Sequence, residues 1–205
     1  TSEIADTEKE GRFIVSGQDS WLRAEMGGTK QASVISKPEV LMALLKKAKR
    51  PLIIIGHETI SDSVRTEIII RMVSEFQKSK GIPILCTSHI AGQVMERGIV
   101  LSGVLGSMEI IDRLRDPTWN GLDGKGQYDL VLIAGFSYSL GWLLFSGLKQ
   151  GAPGTKIISL DPKYHPHASW SYANMKTDSW KAEIERLIDL LHSENTIQKT
   201  EEAHV

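Results

Sequence analysis

The 205-residue chain has a single cysteine, Cys86. One thiol makes no internal disulfide, and it cannot hold an iron–sulfur cluster, which normally takes four thiolates. Cys86 closes the apolar stretch Ile82-Pro-Ile-Leu-Cys86 and reads as a small core residue. A charge imbalance is also missing, since 24 Lys+Arg face 25 Asp+Glu. No global field therefore draws in nucleic acid or an anionic membrane. No apolar run reaches the roughly 20 residues of a membrane span. Residues 1–10 have neither the basic start nor the apolar stretch of a secretory leader, so a soluble, cytoplasmic chain is expected. Two phosphate-binding signatures are absent as well. Gly56 is followed by His-Glu-Thr and Gly135 by Phe-Ser-Tyr, so no strand runs into G-x-G-x-x-G, and no segment ends in Gly-Lys-Ser/Thr.

What is present is ample apolar material, 41% of the residues, arranged in alternating short and long segments. Residues 1–33 are polar and glycine-dotted, with one apolar patch at Arg12-Phe-Ile-Val15, and read as an N-terminal arm. Helix signals begin at Ser36-Lys-Pro-Glu39, where Ser36 can cap and Pro38 suits the first turn. Val40, Leu41, Leu44, Leu45 and Ala48 follow at helical spacing, and Lys46, Lys47, Lys49 and Arg50 crowd the negative end of the helix dipole. Strands are predicted at 52–56, 82–86, 100–106, 130–134 and 156–161. Pro83 points to an edge position or the start of its strand. Helices are predicted at 61–80 (with Val64, Ile68, Met72, Val73 and Phe76 on one face), 90–96, 108–114, 138–149 and 180–192. Near-continuous apolar strands alternating with helices indicate a parallel sheet covered on both faces. The expected fold is α/β, a doubly wound Rossmann-like domain over residues 34–192, followed by an acidic, disordered tail at 193–205.

In such a sheet, ligands sit at the carboxyl ends of the strands, where strand order reverses. Those ends offer Gly56, His57, Thr87, Ser88, Gly135, Phe136, Ser137 and Asp161 as candidate lining for a nucleotide or flavin crevice. Asp161 could take ribose hydroxyls or cap a turn. His57 and His89 both follow strand ends and could form an acid–base pair. His165 and His167 flank Pro166 without further ligands at metal spacing, and read as a histidine-containing surface loop.

The most distinctive stretch is Asp116-Pro-Thr-Trp-Asn-Gly-Leu-Asp-Gly-Lys-Gly-Gln-Tyr-Asp129, a long loop feeding the apolar strand at 130–134. Trp119, Trp142, Trp170 and Trp180 are candidate anchors for a partner, because tryptophan is enriched at binding hot spots. Trp119 stands out, being a loop tryptophan among polar neighbours, and Trp142 lies in the apolar run Gly141-Trp-Leu-Leu-Phe145.

With Ala48-Lys-Arg-Pro-Leu-Ile-Ile-Ile-Gly56, Gly81-Ile-Pro-Ile84 and Ile133-Ala-Gly-Phe136, this loop resembles the epsilon subunits of archaeal acetyl-CoA decarbonylase/synthase, the small chains of its carbon monoxide dehydrogenase component. The resemblance implies a fold similar to the nucleotide-binding middle domain of thiamine-dependent oxidases. It implies an assembly of two alpha and two epsilon chains (alpha2epsilon2) inside a larger complex of one-carbon metabolism and methanogenesis. The alpha subunit there carries the nickel–iron–sulfur clusters and oxidises CO. No catalysis is then expected from this chain alone. Its implied roles are stabilising alpha and assisting electron transfer to FAD at the alpha–epsilon junction. The alternative is a free-standing nucleotide- or flavin-binding enzyme that uses the strand-end crevice.

Overall fold

The computed structural model describes residues 31–202, with side chains as far as Glu194, so residues 1–30 of the expected arm lie outside the described part. Seven parallel strands form one sheet: β1 (Ser33–Val34), β2 (Pro51–Ile55), β3 (Ile84–Thr87), β4 (Gly103–Leu105), β5 (Leu130–Ala134), β6 (Lys156–Ser159) and β7 (Trp170–Ser171). Their order is β1-β7-β6-β5-β2-β3-β4. From β2 the chain winds outward through β3 to β4, then returns to the other side of β2 and winds outward through β5, β6 and β7. The order therefore reverses between β2 and β5, which makes the domain a doubly wound, Rossmann-like α/β fold.

Successive strand residues point to opposite faces, and each face has its own core. Ile53, Ile55, Leu130, Leu132 and Ala134 pack beneath helices α1 (Pro38–Lys47), α2 (Ser63–Lys80), α3 (Ala91–Glu96) and α6 (Thr177–Glu202). Leu52, Ile54, Val131 and Ile133 pack beneath α4 (Ser107–Arg115) and α5 (Tyr138–Gly151). Every residue of β5 is buried, as its uncharged sequence predicts. Burying each such aliphatic side chain is worth about 1.5–3 kcal/mol, so the two-faced sheet is the main source of stability.

Local chemistry sets the element ends. Asp62 caps α2 by accepting from the Arg65 amide at 2.8 Å, and Gly81 at φ 62° ends it in the left-handed conformation that glycine adopts freely. The N-cap of α1 is Lys37, not Ser36, and its side chain accepts no cap bond; the helix start rests on Pro38 in the first turn. Pro83 precedes an inner strand, where it has no ladder N–H to lose, and its carbonyl accepts from Ile53. Val64 lies off the buried face of α2, 44% exposed, and Ile69 takes a buried place on that face. The two-residue strands β1 and β7 carry too little pattern to be read from sequence. They form because Val34 pairs with Ser171 at the sheet's edge.

The last helix begins before Trp180 and does not stop at His192. It runs to Glu202, so the segment from Ser193 to Glu202, expected to be disordered, is helical. Glu194 bridges Lys46 at 2.6 Å and Lys80 at 3.3 Å, and His192 Nε2 meets Glu75 at 2.7 Å. Each contact is worth little by itself, but together they hold α6 at His192 and Glu194 against the C-terminal ends of α1 and α2.

Loop 116–129 sits at the amino end of the sheet. Asp129 accepts from the Lys49 and Arg50 amides, both at 2.8 Å, and so ties the entry of β5 to that of β2. The Arg50 guanidinium pairs with Asp123 and lies 5.1 Å over the Tyr128 ring, whose hydroxyl accepts from the Leu122 amide. Gly121, at φ 75°, cannot be replaced without strain, because a Cβ there would lie 2.5 Å from the Gly126 carbonyl. Asp129→Ala removes two charge-assisted bonds and is expected to cost about 2 kcal/mol in urea denaturation. An unchanged midpoint would mean that Asp129 does not hold the two strand entries together.

Candidate functional site

The reversal point between β2 and β5 is the first place to look for a ligand. Both strands end in glycine there, and the two turns interlock. The Gly56 amide donates to the Ala134 carbonyl at 2.9 Å, and the Glu58 amide to the Gly135 carbonyl at 2.7 Å. A Cβ on Gly56 would come within 2.5 Å of the Gly135 carbonyl and 2.7 Å of the Phe136 ring. Phe136 itself is buried and fills the space above Gly56.

Asp161, at the end of β6, reaches across to this turn. Its Oδ1 accepts from the Gly135 amide at 3.0 Å, and its Oδ2 accepts from Gly135 at 3.1 Å and Phe136 at 3.4 Å. Arg65 Nη2 donates to Oδ1 at 2.5 Å, and the Arg65 guanidinium lies 5.9 Å over the Trp180 ring. Burial raises the Asp161 carboxyl above its ordinary value, and Arg65 with the two amides pulls it back. Asp161 thus serves as a cap for the turn after β5. The two amides of this turn, the kind of donor that receives phosphate in nucleotide-binding sheets, are here directed at a carboxylate of the chain itself. Arg65 is the residue that sequence reading missed. Its signal is position: it heads the stripe 65, 69, 72, 76 of α2, and a charge on a buried stripe needs a partner.

The remaining candidates divide by exposure. Thr87 is buried, with no hydrogen-bond partner for its hydroxyl among the described residues, while Ser88 and His89 face solvent. Ser137 is half-buried at the start of α5, and its hydroxyl accepts no cap bond from the helix amides. His57 and His89 do come together, with ring centroids 6.3 Å apart, and His57 lies edge-on to Phe136 at 6.3 Å. Burial pushes the Cys86 thiol up to about 12, so it carries no thiolate at neutral pH. Among the described residues, no three His, Cys, Asp or Glu side chains are grouped to hold a metal.

His165 is not on a surface loop. It is 1% exposed, stacked on Tyr138 at 4.7 Å and edge-on to Phe145 at 4.7 Å, while the half-buried His167 lies edge-on to Trp142 at 4.4 Å. A Cβ on Gly141 would meet His165 Cε1 at 2.8 Å, so the glycine in α5 makes room for the imidazole. Four tryptophans were candidate anchors, and one proves to be an inner residue. Trp180 is 1% exposed and donates Nε1–H to the Leu160 carbonyl, whereas Trp170 is half-buried in β7. Trp119 is half-buried against Tyr128, 5.9 Å between ring centroids.

Apolar exposure is concentrated elsewhere. Met95, Val100, Val104 and Met108 expose 52%, 71%, 42% and 56% of their surface around the edge strand β4. The run Val100-Leu-Ser-Gly-Val-Leu-Gly106 has no charge and no proline, the devices that usually blunt a strand edge. Among the described residues, no helix is long and apolar enough to cross a membrane.

Comparison with known proteins accounts for most of the chain. The family described as CO dehydrogenase beta subunit/acetyl-CoA synthase epsilon subunit matches residues 19–188. A protein of Methanothermobacter thermautotrophicus named acetyl-CoA decarbonylase/synthase complex subunit epsilon is 32% identical, over 82% of this chain and 92% of its own. One of that name from Methanothrix soehngenii is 34% identical over 74% and 80%. Subunit epsilon 1 of Archaeoglobus fulgidus is 34% identical over 76% and 81%. The chain belongs to the family of acetyl-CoA decarbonylase/synthase epsilon subunits.

Proposed function

We propose that this chain is a non-catalytic subunit that binds and stabilises the alpha subunit of the carbon monoxide dehydrogenase component, as alpha2epsilon2 in the cytoplasm. The nickel–iron–sulfur chemistry of reversible acetyl-CoA cleavage and CO oxidation is then the alpha subunit's. The observation that carries this reading is the apolar edge at β4, a terminal strand paired on one side only, to β3, and flanked by exposed Met95, Val100 and Met108. A surface of that kind marks a place where another chain adds on. Assistance to electron transfer with FAD is compatible with this role only if the cofactor's phosphates rest on groups other than the Gly135 and Phe136 amides.

The test places charge on the edge. Val104→Lys is expected to abolish co-purification with alpha while leaving the thermal midpoint of the isolated chain unchanged, because Val104 faces solvent there. Undiminished association would exclude the β4 edge as the contact. Trp119→Ala and Trp142→Ala form a second arm, each expected to weaken association by about 2 kcal/mol if it anchors the partner. The free-standing enzyme reading rests on the His57–His89 pair. It predicts turnover by the isolated chain that His57→Ala removes.

A further inference from the structure

In nucleotide-binding sheets of this order, the ligand's phosphates sit on backbone amides and a helix N-terminus at the reversal point. Here β5 ends in such a turn, at Gly135-Phe136-Ser137, and α5 begins directly after it. The two amides converge on one anion, which the protein itself supplies. The Asp161 side chain is 4% exposed and accepts from Gly135, Phe136 and Arg65 together. Every donor in the set is an N–H, and one is cationic, the composition of a carboxylate or phosphate site. Beside it the turns after β2 and β5 are interlocked, and the Phe136 ring is buried against Gly56.

We propose that the reversal point of this sheet is internally liganded: the Asp161 carboxylate, held by Arg65, stands where a nucleotide's phosphate would stand, and the chain has no dinucleotide site there. The nucleotide-binding architecture is kept as a scaffold, with its anion hole turned into a lock between β5, β6 and α2. This is independent of which chain covers the β4 edge. Loss of alpha binding in the Val104→Lys variant would leave the lock untouched.

Two measurements on the full chain test it. In wild type, the Gly135 and Phe136 amide resonances are expected not to move on titration with ADP or FAD to about 1 mM, a weak-binding ceiling. In Asp161→Ala, the hole is emptied but its three donors remain. Its thermal midpoint is expected to fall by about 10 °C, the scale for breaking a buried ion pair in a chain of this size. Sodium formate should then restore part of that loss in a saturable way that sodium chloride at equal ionic strength does not, because formate replaces the missing carboxylate. Wild type should show no such difference between the two salts. Saturable ADP- or FAD-induced shifts at Gly135 and Phe136 in wild type would overturn the proposal. So would an Asp161→Ala variant that responds identically to formate and chloride. If Asp161→Ala does not fold in either salt, the wild-type titration decides alone.

Discussion

Gly135→Ala is expected to lose about 3–4 kcal/mol of folding stability. Two costs combine. The residue sits at φ 77°, where an L side chain loses about 1–2 kcal/mol. The new Cβ would also collide with Thr59 Oγ1 and crowd the Thr59 amide at 3.0 Å and the Gly56 carbonyl at 3.1 Å, an overpacking that costs about 1–3 kcal/mol. Urea denaturation measures the sum, provided the slope stays at its wild-type value. A suppressor identifies the collision. The Thr59 hydroxyl is buried without a hydrogen-bond partner among the described residues, so Thr59→Ala gives up no bond. Combined with Gly135→Ala, it should return about half the loss, a coupling that a double-mutant cycle isolates. If Gly135→Ala is within about 0.5 kcal/mol of wild type, the turn is not the closed junction described above.

The second large effect concerns acid. Burial, followed by the charges of Lys163 and His167, lowers the His165 pKa to about 3 from its ordinary 6.5. The folded chain keeps this imidazole neutral, whereas the unfolded chain protonates it below about pH 6.5. Its contribution is therefore complete above about pH 6.5 and is lost as the pH falls toward 3, at up to ~1.4 kcal/mol per pH unit. Carboxylates held low by cationic partners, such as Glu75 beside His192 and Lys78, also lose stability in acid. A difference measurement removes them. His165→Gln carries no titrating ring, so its stability should fall less steeply than wild type between about pH 6 and pH 4, by about 1.4 kcal/mol per unit. Parallel profiles would mean that His165 is protonated in the folded chain.

These two positions also show how far the sequence could be read. The strands at 130–134 and 52–56 were legible because an uncharged β-branched run bounded by glycine has few other uses. The parallel, doubly wound class followed from their alternation with helices. That Gly56, Gly135, Phe136 and Asp161 lie at one edge was legible too, since strand ends in such a sheet share one edge. What they do to one another was not legible. Asp161 meets Arg65 across 96 positions of sequence, and no local pattern announces a bond of that span. His165 reads as a loop histidine because its neighbours Lys163 and Pro166 are loop residues, yet Tyr138 and Phe145 of α5 enclose it.

By itself the sequence determined the fold class and the position of most elements. The ornate loop at 116–129 also pointed to the family the chain belongs to, because periodicity, turn residues and motifs are local properties. Only the tertiary structure decided which ends of the chain meet. It put that loop at the amino end of the sheet, away from the reversal point, and continued the last helix past His192 to Glu202. It also joined Asp161 to Arg65 and to the turn after β5, since the partner of a buried charge is chosen by packing between distant segments.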